Sequence, residues 1–409
     1  MSTPEERRTF GKRVAGLRKQ RGMTQDELAA AIGRTASWLS QVERGVQPVN
    51  RLDVLRLLAE GLGVSVQALR SDAPLDTAGA DTGEPNDLDQ ARLLLSGHPV
   101  PSLLLGGHPR LVAADLPELR LGVEQVWELT HESRFAELGT ALGTLVPRIE
   151  RAVRTAPSEE RPELWLLLSR SYQALSAAFV RQDEADAAWV AADRAIRAAE
   201  QSGDPLQVFA SVFRLAQAFV RLRRLDQAEH TATTAVAALT ESVQQSGPEV
   251  LSLLGSLHLA LATVHGRCGD RAAALDALNR ARRAAQRLGA DRNDFGTEFG
   301  PTNVEIQAVS LAVELGDAGE AIETGRRIDP THLSVERRAR LLMDIGRAYA
   351  QRRQGGEALA HLLQAEELAP ELIRTHTAAR AAIRELVLVA GQTAPPELIT
   401  LAERTDARP

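Results

Sequence analysis

The residues best suited to specific recognition lie in residues 23–45, MTQDELAAAIGRTASWLSQVERG. Thr24, with Glu27 three residues later, forms a capping box and predicts the start of a short helix. Thr35 predicts the start of a second helix. This helix would bury its leucine and valine and leave small polar side chains on its open face: Ala36, Ser37, Ser40, Gln41 and Arg44. Apart from Glu43 that face lacks carboxylates, as expected of a helix that reads bases in a DNA groove.

This segment resembles the helix-turn-helix of phage-repressor (Cro and cI) type regulators, the XRE family. The matching residues are Thr24-Gln25, Glu27-Leu28-Ala29, Gly33, Ser40, Glu43-Arg44-Gly45, Pro48 and Gly61-Leu62-Gly63-Val64-Ser65. The resemblance implies a five-helix DNA-binding domain over residues 1–71. It also implies a homodimer that binds double-stranded DNA at a palindromic operator.

The resemblance further implies which residues contact DNA: Gln25, Thr35, Ala36, Ser37, Trp38, Ser40, Gln41 and Arg44. Gln25 and Arg44 would bind phosphates, while the small residues at the start of the second helix would face base edges. Gln41 would be the best single reader, because its amide can pair bidentately with adenine. Trp38 replaces the small polar residue usual there and is expected to pack on the sugar backbone or at a partner interface.

The charge distribution supports a separate DNA-binding module. The whole chain has a net charge of −6, which alone argues against nucleic acid. Residues 1–71, however, contain 12 Lys or Arg and 7 Asp or Glu, which leaves a net +5 there and −11 on the remainder. A basic module on an acidic body is typical of a DNA-binding domain that carries a sensor.

Several classes of protein are not supported by the sequence. Cys268 is the only cysteine, so an internal disulfide and a cysteine-based zinc site are excluded. We expect no metal at His258 and His265, because a third ligand is missing. No acid–base pair or phosphate loop indicates an enzyme, and no cofactor is expected. Without an 18-residue apolar run or a signal sequence, a cytoplasmic bacterial protein with no membrane contact is predicted.

The rest of the chain divides by composition and periodicity. Residues 72–86, rich in Asp, Gly, Pro and Ala, predict a flexible linker. Residues 87–393 predict an array of helical hairpins that resembles degenerate tetratricopeptide repeats, and residues 394–409 a C-terminal tail. The predicted fold class is therefore all-α, with an α-solenoid after the DNA-binding domain. Residues 98–111, with paired Pro and Gly, predict a loop to which no role is assigned.

This layout is similar to that of peptide-sensing regulators of Gram-positive bacteria, in which the concave surface binds a signalling peptide. The first helices place six polar residues at comparable positions of successive repeats: Arg170, Arg214, Gln217, His258, Asn303 and Gln307. A row of this kind would suit a short peptide or an acidic small molecule, with arginine supplying bidentate hydrogen bonds. The alternative is that these residues are solvated or pair with nearby carboxylates.

Residues 288–303, LGADRNDFGTEFGPTN, interrupt the repeat rhythm. Long loops inside a compact array are usually functional. In one interpretation the loop seals the superhelix, with Phe295 and Phe299 as core plugs. In the other it places Asn303 and Gln307 at the head of a groove-lining helix, within reach of a ligand.

Two functions therefore stay open for the repeat array. In the first, the array senses a peptide or small-molecule effector, and this function would require a closed pocket with convergent polar groups. In the second, the array is a scaffold for protein interactions, and this function would require an open groove with exposed apolar patches.

Overall fold

The structure is a computed structural model that describes residues 4–32, 34–47, 49, 58–59, 61–62, 88–96, 115–242 and 247–408. The chain divides into two compact units, Met1–Thr82 and Gly83–Pro409. Helices supply the regular structure of these residues, whose one extended pairing is an isolated bridge between Arg292 and Phe299. The predicted all-α fold class is confirmed.

Three helices are described in the first unit: α1 (Pro4–Gln20), α2 (Gln25–Ala31) and α3 (Ala36–Glu43). Thr24 and Glu27 form the predicted capping box at α2. Thr35 accepts a hydrogen bond from the Trp38 N–H and so starts α3. Because each cap satisfies backbone donors that a helix leaves unpaired, both helices begin where the sequence predicts.

Apolar residues from these helices share one fully buried core, which includes Val14, Leu28 and Leu39. The predicted fourth and fifth helices of this domain lie mostly outside the described residues. Leu58 and Leu62 are described and are fully buried in the same core. The predicted linker 72–86 and loop 98–111 lie outside the described residues.

An ion pair joins α1 to α3. The Arg18 guanidinium donates to both Glu43 carboxylate oxygens, at 2.6 and 3.0 Å, and to the Met23 carbonyl at 2.7 Å. The side chains of Arg18 and Glu43 are only 9% and 7% exposed. Gly11 allows this approach, because a Cβ there would collide with the carbonyls of Val42 and Glu43. The position of α3 therefore depends on α1.

The second unit begins with α4 (Asp89–Ser96), α5 (Leu116–His131) and α6 (Phe135–Thr155). Five hairpins follow: α7 (Arg161–Arg181) with α8 (Ala185–Ser202), α9 (Pro205–Arg221) with α10 (Leu225–Ser242), α11 (Pro248–Cys268) with α12 (Arg271–Leu288), α13 (Pro301–Glu314) with α14 (Ala318–Gly325), and α15 (Val335–Gln351) with α16 (Gly355–Leu368). The last helices are α17 (Pro370–Thr375), α18 (Thr377–Ala390) and α19 (Pro396–Arg404). These hairpins are the predicted repeat pairs.

Local sequence signals set the hairpin geometry. Gly269 ends α11 in the left-handed region, at a φ of 77°, and Asp270 then accepts from the Ala273 N–H to start α12. Small residues line the inner faces of the second helices. Ala191 and Ala195 of α8, for example, are fully buried, which lets neighbouring helices pack closely.

Residues 394–409 differ from the predicted tail. Helix α19 packs against α18, and its Leu398 and Leu401 are buried in the main core of the unit. Ala407, beyond the helix, is buried as well. Apolar residues at positions 398, 401 and 402 have helical spacing, but they extend over a single turn, which is too short to be distinguished from a tail by periodicity alone.

Among the described residues, one helix has the length and hydropathy of a membrane span. This helix is α11, whose most apolar window has a mean hydropathy of 1.2. In that window 72% of the residues are buried inside the unit. Its apolar character is therefore that of a core helix.

A close contact between α11 and the loop after α12 gives a test of the packing. A Cβ added at Gly255 would overlap the ring of the fully buried Phe299. We therefore expect Gly255→Ala to lower the free energy of unfolding of the repeat unit by about 1–3 kcal/mol, measured by guanidinium denaturation. Gly143→Ala is the matched control, since Gly143 lies inside α6 with nothing near its Cβ. It should stabilise by up to about 1 kcal/mol, and a similar loss in both variants would contradict this packing.

The contact between α1 and α3 can be tested separately. Arg18→Ala leaves the Glu43 carboxylate with fewer donors, so we expect residues 4–47 to lose about 1.5–3 kcal/mol of local stability. Hydrogen exchange of the backbone N–H groups of α1–α3 measures this loss. Lys12→Ala, an exposed change on the same helix, should leave the exchange within about 0.5 kcal/mol of the unmodified protein. Equal protection in the two variants would show that the ion pair does not hold α3.

Candidate functional site

The first candidate surface is the open face of α3. Thr35, Ser37 and Arg44 are exposed, and the other predicted contacts on this helix are half-buried: Ala36, Trp38, Ser40 and Gln41. Helical spacing therefore brings seven of the eight predicted DNA-contacting residues onto one short element. The eighth, Gln25, lies at the start of α2 and reaches Glu43 of α3, where its Nε2 donates to Oε2 at 2.6 Å. One amide hydrogen of Gln25 is thus used within the protein.

The only carboxylate in α3 is turned away from solvent. Burial alone would raise the pKa of Glu43, but hydrogen bonds from Arg18 and Gln25 outweigh it and lower the pKa below its ordinary value. Glu43 is therefore ionised at neutral pH, and its charge is neutralised by Arg18. The exposed part of α3 is left with hydroxyl, amide and guanidinium groups, which suit an approach to a polyanion.

Trp38 packs partly within its own domain. Its ring lies against the core of the first unit, and the Arg34 guanidinium lies 5.6 Å from the ring centroid. A contact of its exposed part with DNA or a partner stays a prediction.

The second candidate site is a cavity of about 100 Å³ in the repeat unit. Its walls come from the first helices of all five hairpins and from Thr297 in the loop after α12. Of the predicted effector residues, Gln217, Asn303 and Gln307 line it. They come from α9 and α13, which are separated in sequence by a complete hairpin.

The remaining predicted effector residues do not line this cavity. Arg214 is 2% exposed and donates to the carbonyls of Phe295 and Gly296, at 3.2 and 2.9 Å. Burial, reinforced by neighbouring arginines, lowers the pKa of Arg214 to about 9. His258 is buried, and burial lowers its pKa to about 4, so it is neutral. Arg170 is half-buried elsewhere on α7, and the six residues therefore do not converge on one groove as expected.

Strong contacts hold the loop between α12 and α13 inside the unit. Arg337 of α15 donates to the Thr297 carbonyl at 3.0 Å, and Glu298 accepts from the Ser334 hydroxyl at 2.9 Å. Asp294 accepts from the Ser252 hydroxyl of α11 at 2.6 Å. Several helices therefore anchor the loop.

Both interpretations of this loop have a counterpart in the structure. Phe299 is fully buried and Phe295 packs half-buried against the same core, as in the sealing interpretation. Asn303 and Gln307 line the cavity from the start of α13, as in the interpretation that places them at the head of a groove-lining helix. Thr297 belongs to the cavity wall, so the packed loop also shapes the candidate site.

The cavity contains charged residues that the sequence analysis did not select: Arg221, Arg267, Arg337 and Arg340. Arg221 and Arg267 lie in the last turns of the first helices α9 and α11, and Arg181 ends α7 in the same way. This recurrence of arginine at successive first-helix ends is the signal that could have revealed the cluster. No described residue that lines the cavity carries a carboxylate.

Metal ligation has little support in the described part of the chain. It contains no group of three or more His, Cys, Asp or Glu side chains placed to hold an ion. Cys268 is exposed at the end of α11.

The chain was compared with protein families, with curated protein sequences and with solved structures. Residues 9–73 match the family model of a helix-turn-helix domain. No curated protein sequence matches the chain. The chain is similar to the crystal structure of Bacillus thuringiensis PlcR in complex with the peptide PapR7 and DNA, at 14% identity and a TM-score of 0.35, over 88% of this chain and 99% of that one. It is also similar to a mutant of PrgX, at 10% identity and a TM-score of 0.21, over 96% and 99%.

The family match coincides with the capped helices and the predicted recognition face. It covers α2, α3 and the buried residues that pack on them. Residues 9–73 therefore form a helix-turn-helix domain, which is followed in the same chain by an all-helical unit of repeat hairpins.

Proposed function

We propose that this protein is a transcription regulator that binds a palindromic operator as a homodimer and responds to an effector in the repeat-unit cavity. The observation that carries the proposal is the open face of α3, which belongs to a helix-turn-helix domain and exposes no carboxylate. The net +5 of residues 1–71 attracts the phosphate backbone without regard to sequence. Ser37, Gln41 and Arg44 would then contact the operator, with Gln41 reading bases.

The proposed homodimer would bind a two-fold symmetric site. Two copies of α3 related by a two-fold axis would read half-sites about 34 Å, or roughly 10 base pairs, apart, or a multiple of that distance. Such a protein would act in the cytoplasm of a bacterial cell, where it meets its DNA.

The polar cavity favours the sensing function over a scaffold. Its walls bring together the amides of Gln217, Asn303 and Gln307, which can hydrogen-bond a peptide or a small polar molecule. To regulate, the effector must favour one arrangement of the two DNA-binding domains, because equal affinity for both arrangements shifts nothing.

One observation favours the scaffold alternative. A second cavity, of about 220 Å³, lies among α15, α16, α18 and α19, and its lining is mostly apolar. Leu388 and Val389 of α18, beside it, are 63% and 68% exposed. Exposed apolar residues of this kind often mark a protein-binding surface, so this end of the unit is where a protein partner would dock.

The base-reading role of Gln41 can be tested with an operator selected from randomised duplexes by the purified protein. Gln41→Ala should weaken operator binding by about 1–3 kcal/mol and change binding to random DNA little, because a lost base contact affects only the cognate site. Arg44→Ala should instead weaken all sequences and reduce the slope of affinity against salt by about 1. Fluorescence anisotropy at several salt concentrations measures both effects.

Gln286→Ala provides the control for this experiment, since Gln286 is an exposed glutamine on α12 of the other unit. It should bind operator and random DNA as the unmodified protein does. An equal loss on both DNAs in Gln41→Ala would show that Gln41 is not a base reader.

The sensing role is tested by a reporter gene placed under the selected operator. The double change Asn303→Ala and Gln307→Ala should make the reporter insensitive to the growth conditions that switch the unmodified regulator. Operator affinity of the purified protein should stay nearly unchanged, because the cavity lies outside the DNA-binding domain.

The matched control is Asn279→Ala with Gln286→Ala, at exposed positions of α12 outside the cavity. This protein should switch normally. If the Asn303 and Gln307 variant also switches normally, the cavity is not the sensor and the scaffold function replaces the sensing function.

A further inference from the structure

The cavity concentrates positive charge that the protein only partly compensates. Arg221 has its nearest carboxylate, Asp183, at 3.8 Å, which is beyond a hydrogen bond. Arg267 donates to the neutral carbonyl of Val220 at 3.2 Å. Arg340 reaches Glu336 at 3.4 Å. Glu336 and Asp183 are not among the residues that line the cavity. The described lining residues themselves include no carboxylate that could pair with these guanidinium groups.

One carboxylate behind the wall is shared among several arginines. Glu336 is fully buried and lies 3.1 Å from Arg181, 3.5 Å from Arg337 and 3.4 Å from Arg340. A single negative charge cannot neutralise three positive ones. Glu298 compensates part of the excess, at 3.4 Å from Arg337. The inner wall therefore keeps a surplus of buried positive charge, which is costly unless an anion joins it.

Burial and crowding of like charges lower the pKa of two of these arginines. Burial, together with repulsion from Arg340 and Arg267, lowers the pKa of Arg221 to about 10. Arg267 is more exposed, and partial burial of its guanidinium lowers its pKa; the Glu314 carboxylate opposes this change, and Arg340 and Arg347 reinforce it. Both groups stay charged at neutral pH, and an anion bound between them would relieve their repulsion.

An unpaired amide lies beside this charge. Asn303 is 2% exposed, lines the cavity, and its Oδ1 has no hydrogen-bond partner among the described residues. A buried acceptor without a donor is unfavourable, so a donor from a ligand would satisfy it. Gln217 and Gln307 line the same cavity and add further hydrogen-bonding groups.

We propose that the cavity binds a small ligand with a doubly charged anionic group, of the phosphate-monoester class, held by Arg221, Arg267 and Arg340. A hydroxyl or N–H on the neutral part of the ligand donates to Asn303. A phosphate offers acceptors on all sides and can meet several guanidinium groups at once, which a single carboxylate cannot. The cavity volume of about 100 Å³ suits such a compact group better than an extended chain. As an effector site this inference rests on the proposed regulatory function.

Binding is measured on the full chain without DNA, with inorganic phosphate as the probe. Calorimetric titration should show saturable phosphate binding, whereas acetate and chloride at equal ionic strength should show none. Arg221→Gln and Arg267→Gln should each weaken phosphate binding about tenfold or more, since each removes a charged hydrogen-bond donor. Arg197→Gln, a control at a 76% exposed position on α8, should bind phosphate unchanged.

Thermal unfolding without phosphate distinguishes a binding role from a structural one. Arg221→Gln removes an incompletely compensated buried charge, so its unfolding temperature should be equal to or above that of the unmodified protein. Three results would overturn the inference: phosphate that binds no better than acetate, phosphate binding retained in both variants, or an Arg221→Gln protein that unfolds at a lower temperature.

DNA binding is then compared with and without phosphate. An effect that persists in Arg267→Gln would be competition at the DNA-binding domain, and it would contradict regulation through the cavity. Loss of the effect in Arg267→Gln would support regulation through the cavity. Absence of phosphate binding with operator binding intact would remove this inference and leave the proposed DNA-binding function standing. Loss of operator binding with phosphate binding intact would remove the proposed DNA-binding function and leave the phosphate site standing.

Discussion

The repeat unit depends on the way buried guanidinium groups are satisfied. A charged arginine in the interior needs acceptors, and the loop after α12 supplies them as backbone carbonyls: Arg214 takes those of residues 295 and 296, and Arg337 that of residue 297. These bonds draw an irregular segment into the array, where Phe299 fills the space beside Gly255. The same loop also forms part of the cavity wall through Thr297, so one segment both fills the core and shapes the cavity.

A surplus of positive charge distinguishes the surroundings of the cavity from the rest of the interior of the repeat unit. A matched charge is seen at Arg347, which donates to Asp344 at 2.7 Å and to Glu314 at 2.8 Å. Around the cavity, Glu336 is shared by Arg181, Arg337 and Arg340, and Glu298 adds a second contact only at Arg337. A protein that only needed a stable core would gain by apolar replacements here, since buried unmatched charge opposes folding. The anion-binding site proposed above would instead use this surplus of positive charge.

The helix-turn-helix domain has the opposite charge arrangement on α3. Its one carboxylate is paired inward with Arg18 and Gln25, so the exposed face presents donors to a polyanion. The pair also ties α3 to α1, and one interaction thus sets both the position of the helix and the sign of its surface. Gln25 takes part in this internal bond, which the family resemblance alone did not indicate.

The sequence alone determined the helices, because caps, glycine ends and apolar spacing act within a few residues. It predicted α3 and its polar face, the five hairpins and the irregular loop. It did not reveal that Gln217, Asn303 and Gln307 line the cavity while Arg170, Arg214 and His258 do not, although Arg214 donates to Gln217 at 3.1 Å. It also did not reveal that residues 396–404 form a packed helix. It also missed the arginine cluster. These outcomes required the tertiary structure, since the cavity joins side chains from five helices that are far apart in the chain. Their spacing is set by helix packing, which local periodicity does not encode.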